Sequence, residues 1–398
     1  MKANNIHRLG LTLSTLSIAA IATCTPASAA TLYNVLDLGT LSPDGSGFSR
    51  ASSLNDNGQV VGEATNSFNF SVFRTAPNSA INPTTDDIVV GRGLSFSSSD
   101  INNNGQVVGE VNSNSRFNFA FRTAPNGLIS GLGDGIGELF TGGSFIGATA
   151  INDLGQATGR GLASDPTTDQ IVQAVRVDSS GNITTLGSLG SRDSRGQGIN
   201  NLGQVVGFSE LTNGETHAFR TAPNSLINPT TDDLGTLGGD FSAANDINNN
   251  GQVVGSSTTA SGETHAFRTA ANSAINPATD DLGTLGGDFS TANAINELGQ
   301  VVGSSELANG DIRAFLFDED TMFDLNNLVV GELDFTFTEA VGINERGQIV
   351  VNGFFSSDAQ TSRAFLLTPV PEPTSMLGII AFGAGASILR QKSKRKLT

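Results

Sequence analysis

Short apolar runs broken by glycine- and asparagine-rich turns fill the chain between its two ends. One unit reads Asp233-Leu234-Gly235-Thr236-Leu237, then Ala243 to Ile247, then Gln252-Val253-Val254-Gly255, then Thr264-His265-Ala266-Phe267-Arg268. No stretch of this body sustains a helical period, so the pattern predicts short strands joined by tight turns. Between the second and third runs lies Asn248-Asn249-Asn250-Gly251. Asparagine opens such a turn and glycine supplies the positive φ that closes it, which fits a hairpin.

The turn belongs to a hexapeptide, Ile/Leu-Asn-x-x-Gly-Gln, that begins at Leu54, Ile101, Ile151, Ile199, Ile247, Ile295 and Ile343, at intervals of 47, 50, 48, 48, 48 and 48 residues. A fixed period of this size marks supersecondary units that bury their apolar faces against their neighbours. Four strands per unit match a propeller blade. The expected fold is all-β, a seven-bladed β-propeller of four-stranded blades spanning 31–369. The ends agree in phase. Leu32-Tyr33-Asn34-Val35-Leu36-Asp37-Leu38-Gly39 is an Asp-Leu-Gly strand without its preceding unit, and Arg363-Ala364-Phe365-Leu366-Leu367 an Ala-Phe strand without its successor. Pairing of these terminal strands is expected to close the last blade and cover exposed edges.

Charge narrows the function. Residues 31–370 hold 14 arginines, no lysine and 37 acids, a formal charge of −23. Such a field repels phosphate backbones and excludes nucleic acid as a partner. Cys24 is the only cysteine, so the body has no disulfide and depends on its core.

Both ends read as address labels. Lys2 and Arg8, the apolar Leu11 to Ala22 and the small Ala27-Ser28-Ala29 form a secretory signal over 1–30. At the other end, 370–398 carries Pro371-Glu372-Pro373, an apolar segment from Thr374 to Leu389 and a basic cluster from Arg390 to Lys396. This order resembles the PEP-CTERM sorting signal. The resemblance implies recognition by an exosortase, contact with the secretion machinery, transient membrane attachment through the tail alone and release to the cell surface. The body resembles the HAF-repeat family of extracellular proteins through His217-Ala218-Phe219, His265-Ala266-Phe267 and the recurrent hexapeptide. That family implies a secreted repeat protein with no assigned chemistry.

Candidate chemistry is sparse. Asp100, Asn102 and Asn104, and likewise Asp246, Asn248 and Asn250, fit the opening of a calcium loop, but position twelve holds Val111 and Ser257 instead of an acid. The turn explanation covers all seven units and calcium only two, so no cofactor is expected. His217 and His265 share a repeat position with Ser71, Phe119, Gln173, Arg313 and Arg363. That variety reads as an exposed strand residue. The pairs Asp86-Asp87, Asp232-Asp233 and Asp280-Asp281 are expected to supply inter-blade salt bridges to Arg74, Arg122, Arg176, Arg220 and Arg268. No Gly-x-Ser-x-Gly elbow or Walker-type loop is present. Trp is absent and Tyr33 is the only tyrosine, so a sugar site here depends on Phe or polar contacts.

The reading is a non-enzymatic surface or matrix scaffold for extracellular polysaccharide or a surface protein. Its rival is a secreted polysaccharide hydrolase or lyase using acids at the channel mouth. Mass spectrometry of the surface-exposed protein tests the export part. Loss of the Arg390–Thr398 tail is expected, and surface protein that keeps this tail contradicts sorting cleavage.

Overall fold

The computed structural model describes residues 31–66, 70–90, 95–112, 118–130, 145–164, 170–332 and 334–371. The leader, Glu372, Pro373 and the apolar tail lie outside the described residues. Those described are all-β, with a single 3₁₀ turn at Leu325–Asn327, and no described helix is long and apolar enough to cross a membrane.

Each unit begins with an antiparallel triplet. In the first unit its strands are Ser49–Leu54, Val60–Thr65 and Phe70–Arg74, with the hexapeptide turn between the first two. The inner strands of the other six units are Ser95–Ile101, Phe145–Ile151, Ser194–Ile199, Gly238–Ile247, Gly286–Ile295 and Phe335–Ile343. Single parallel residue pairs, Thr216 with Phe241 and Thr264 with Phe289, join the strands of the fourth, fifth and sixth units into one continuous ten-stranded array. In the last sheet Tyr33–Asp37 lies outermost, antiparallel to Asp358–Pro369, with Tyr33 opposite Pro369 and Asp37 opposite Phe365. The two ends of the body therefore pair as their phase implies.

The fourth strand departs from expectation. It is a full strand in the third unit (Ile183–Gly187), the sixth (Thr321–Asp324) and the seventh (Tyr33–Asp37). In the first, fourth and fifth it shrinks to a single bridge, Phe73–Asp87, Phe219–Asp233 or Phe267–Asp281. In the fourth and fifth units the cause is local: Gly235 and Gly283 follow within two residues at φ of 71° and 69°, turning the chain out of the ladder.

The core lies between consecutive units. Val61, Val72 and Ile88 of the first pack with Ile101, Val107 and Phe121 of the second, and Val206, Ala218 and Leu234 of the fourth with Ala244, Val253 and Phe267 of the fifth. Fully burying one such valine contributes about 1.5–3 kcal/mol. The glycine of Val-Val-Gly is fixed by close approach. A Cβ on Gly255 would lie 1.9 Å from the Ala243 carbonyl oxygen, and one on Gly62 2.1 Å from that of Arg50.

The hexapeptide asparagine ties unit to unit. Asn55 Oδ1 accepts the N–H groups of Asn57 (3.1 Å) and Gln59 (3.0 Å), which folds the turn. Asn55 Nδ2 donates to Gln59 Oε1 (2.9 Å) and to the Asn102 carbonyl of the next unit (3.0 Å). The same donation runs from Asn102 to Asn152, to Asn200, to Asn248, to Asn296, to Asn344 and back to Asn55, at 2.8–3.3 Å. The circuit closes. All seven asparagines are buried.

A second circuit runs beside it. At the next position each backbone N–H donates to the side chain of the following unit: Asp56 to Asn103, Asn103 to Asp153, and so on to Glu345 and Asp56, at 2.8–3.0 Å.

A buried carboxylate cannot donate, so Asn248→Asp would set negative charge against Gln252 Oε1 and the Asn296 carbonyl. A loss of about 2–4 kcal/mol in urea unfolding is expected near neutral pH. The deficit should shrink on acidification, because the buried carboxyl's raised pKa lets it protonate and donate. A neutral, pH-independent result would contradict the role assigned to the carboxamide.

Candidate functional site

Every inner strand slips register just before its hexapeptide, at Ala51/Ser53, Ser98/Asp100, Ala148/Ala150, Gly196/Gly198, Ala244/Asp246, Ala292/Ala294 and Ala340/Gly342, and the third, fifth, sixth and seventh slip a second time farther upstream. A β-bulge re-aims one side chain against the strand's alternation. The extra residues, Ser52, Ser99, Thr149, Gln197, Asn245, Asn293 and Val341, all line one cavity of about 290 Å³ to which all seven units contribute. Sequence reasoning passed over these positions because a bulge breaks the period of two. Their signal was a variable, mostly polar residue behind a buried small one.

Four acids line this cavity, Asp56 and Glu345 from the turns and Asp100 and Asp246 from the inner strands. Asp100 accepts Ser53 Oγ (2.6 Å), Ile101 N–H (2.8 Å) and, from the next unit, Ile151 N–H (2.9 Å). Asp246 accepts Ile247 N–H (2.8 Å) and Ile295 N–H (3.0 Å). Desolvation raises both, Asp246 to about 6 with the Asp100 charge adding to the rise, while the N–H donors pull the other way.

The calcium-loop residues do not gather around one point. Asn102 and Asn248 spend their oxygens on turn N–H groups, while Asn104 Nδ2 donates to the Asp153 carbonyl and Asn250 Nδ2 to that of Glu297. Among the described residues no group of three or more His, Cys, Asp or Glu is placed to hold a metal ion. Pro371 ends the described body; the rest of its motif is beyond it.

The turn position next to the hexapeptide asparagine holds Asp56, Asp153, Glu297 and Glu345, acids from four units, of which Asp56 and Glu345 line the cavity. Each occupies the second circuit and accepts the preceding unit's N–H. Burial, then Asp56 and Glu297, push the Glu345 carboxyl up against the opposing Glu297 N–H.

The other end of the inner strands breaks the repeat. Equivalent positions there hold Arg50, Ser97, Gly147, Arg195, Ala243, Thr291 and Glu339, paired across to Glu63, Glu110, Arg160, Phe208, Ser256, Ser304 and Asn352. Ion pairs cross unit boundaries from Arg50 to Glu339 (2.9 Å) and from Arg160 to Glu110 (2.8 Å). A second cavity of about 230 Å³ opens among the second, third and fourth units and shares Ser99, Thr149 and Gln197 with the first. Desolvation raises the Glu63 carboxyl, and Arg50 opposes the rise.

Two expectations are corrected. The repeat arginines do reach the next unit, but they bond its turn carbonyls. Arg74 donates to the carbonyls of Gly105, Asn126 and Gly127, Arg122 to Gly155, Asp178 and Ser179, Arg176 to Asn224 and Ser225, and Arg220 to Gly251 and Ser273. Arg268 bonds Gly299 and lies 3.6 Å from Asp320. Adjacent acids have local duties: Asp86, Asp232 and Asp280 cap the Asn82, Asn228 and Asn276 N–H groups. Their neighbours hold the variable strand position, with Asp87 to Ser71, Asp233 to His217 Nδ1 (2.9 Å) and Asp281 to His265 Nδ1 (2.9 Å). Both histidines are thus partly buried and paired, not freely exposed, with side chains 14% and 18% accessible.

No family model and no curated protein matches this chain. Among solved structures it is similar to a prolyl endopeptidase (10% identity, TM-score 0.47, 86% of this chain and 51% of that one), so it spans about half of that protein. It is also similar to the BP39L lectin of Burkholderia pseudomallei (10%, 0.40, 84% and 97%) and to a protein of unknown function from Dyadobacter fermentans (9%, 0.37, 85% and 98%).

Asp246 makes stability pH-dependent. Its folded-state pKa lies above its unfolded value, so its contribution is fully present below pH ~4 and is lost as pH rises through ~6. Asp246→Ala copies Ala294 of the next unit and should flatten the stability profile between these limits by about 1–2 kcal/mol, a span reduced because the side chain opens on a cavity. Identical profiles for variant and parent would contradict the assignment.

Proposed function

We propose that this chain is an exported seven-bladed β-propeller that works at the cell surface or in the extracellular matrix as a non-enzymatic binding scaffold, with extracellular polysaccharide as its ligand. The observation that carries this reading is the pair of closed seven-member circuits. Seven equivalent latches hold a ring, and the bulged inner residues are then free to vary and shape a binding surface. Acids gathered from four units favour an enzyme at first sight. At the turn end, however, each accepts a neighbour's N–H at one repeat position, which supports a structural duty. The signal-like 1–30 and the tail 370–398 support export, processing by an exosortase and membrane contact through the tail before release. A surface protein as partner is the other outcome of the same reading.

One observation favours a second reading as a polysaccharide hydrolase or lyase. Asp100 and Asp246 line one cavity with raised pKa values, as a general acid requires. A glycan array combined with a turnover assay on the purified full chain, with and without calcium, separates the two. Binding without turnover is expected. Turnover lost in Asp100→Ala or Asp246→Ala would replace the scaffold with the hydrolase, and silence toward every glycan would remove saccharide as the ligand.

A further inference from the structure

We infer that the 230 Å³ cavity between the second, third and fourth units binds the carboxylate-bearing sugar of a sparsely charged polysaccharide, with Arg195 as the carboxylate receptor. The inference rests on the scaffold reading above and names its ligand class and site.

Charge is the first argument. The body carries −23, yet the charged groups lining this cavity are Glu110, Arg160 and Arg195. Glu110 neutralises Arg160 at 2.8 Å, which leaves one positive charge. A guanidinium presents donors in a planar fork that matches a carboxylate. The negative body repels densely charged polymers, so the fitting ligand brings one carboxylate among many neutral hydroxyls.

Unused hydrogen-bonding capacity is the second argument. Arg195 stacks over the Phe208 ring at 5.8 Å, which orients its guanidinium, and the guanidinium makes no hydrogen bond or ion pair to another described residue. Ser97, Ser99 and Gln197 line the same cavity, and none has a side-chain hydrogen bond to another described residue. Hydroxyls and a carboxamide both donate and accept, as sugar hydroxyls require.

Access is the third. Gly147 is the only glycine at its repeat position, and a Cβ there would come within 2.9 Å of Glu110 Oε2 and 3.1 Å of Arg160 Nε. Its missing side chain keeps the pair's cavity face open. The volume falls below the roughly 300–1,000 Å³ of drug-sized pockets, which suits a single sugar ring.

Calorimetric titration of the purified full chain tests this with a glucuronate-terminated oligosaccharide, its methyl ester and inorganic phosphate. The acid is expected to bind, the ester to bind roughly ten- to a hundredfold more weakly and phosphate not to compete, since one charge-assisted fork is at stake. Arg195→Met keeps an apolar stem on Phe208 and should weaken the acid by the same factor without affecting the ester. Gln197→Ala, a cavity change that leaves every described hydrogen bond in place, should weaken both. Equal binding of acid and ester, or an acid affinity unchanged in Arg195→Met, overturns the site while leaving the scaffold reading intact. Competition by phosphate at equal concentration overturns the sugar as ligand, and binding of neither acid nor ester overturns this site, while only silence across the glycan array removes saccharide as the scaffold's ligand.

Discussion

One primary amide per unit, placed where it can accept twice and donate twice, sets the form of this protein. The hexapeptide asparagine folds its own hairpin with its oxygen and reaches the neighbouring backbone with its nitrogen. Asp lacks the donors and Ser lacks the second hydrogen, so the turn and the inter-unit contact demand the same residue. Because Asn344 donates back to Asn55, no unit is left with an unmet partner. A chain without disulfides in its body thereby obtains closure from hydrogen bonds and from the pairing of Tyr33–Asp37 with Asp358–Pro369.

The rest follows from stacking one unit against the next. Apolar clusters span unit boundaries, and arginines after the Ala-Phe position reach across to turn carbonyls of the next unit. Burial pulls the pKa of Arg74, Arg176 and Arg220 down, although acids nearby restore part of the loss. The glycines of Val-Val-Gly let the bulged inner strand approach, so bulge, glycine and cavity form one arrangement. Cavity lining can then change in any unit without disturbing the latch.

Much of this was legible in the sequence. The fixed period gave seven units, Asn-x-x-Gly gave the hairpins, and the unmatched strands at residues 32–39 and 363–367 implied the terminal pairing. The duties of individual polar residues were less legible. Arg220 and Asp232-Asp233 suggest an ion pair by composition, whereas strand register sends the guanidinium to Gly251 and Ser273 and one aspartate to His217. Cavity residues such as Gln197 and Asn245 were invisible because a single extra residue moves a side chain to the other face. Acids at the turn end look like a site by count, and only their partners identify them as latches.

Closure of the seven units is the central claim, and a disulfide across the terminal strands tests it most directly. Asn34 and Thr368 face each other in the antiparallel pair, are exposed, and belong to a body, 31–369, with no cysteine of its own. Directly opposed strand residues lie within the span a disulfide bridges. In Asn34→Cys/Thr368→Cys, oxidation should give a covalent loop that migrates faster on a denaturing gel and unfolds at higher denaturant than its reduced form. Two thiols that stay free under oxidising conditions would mean that the terminal strands do not meet and that the circuit is open.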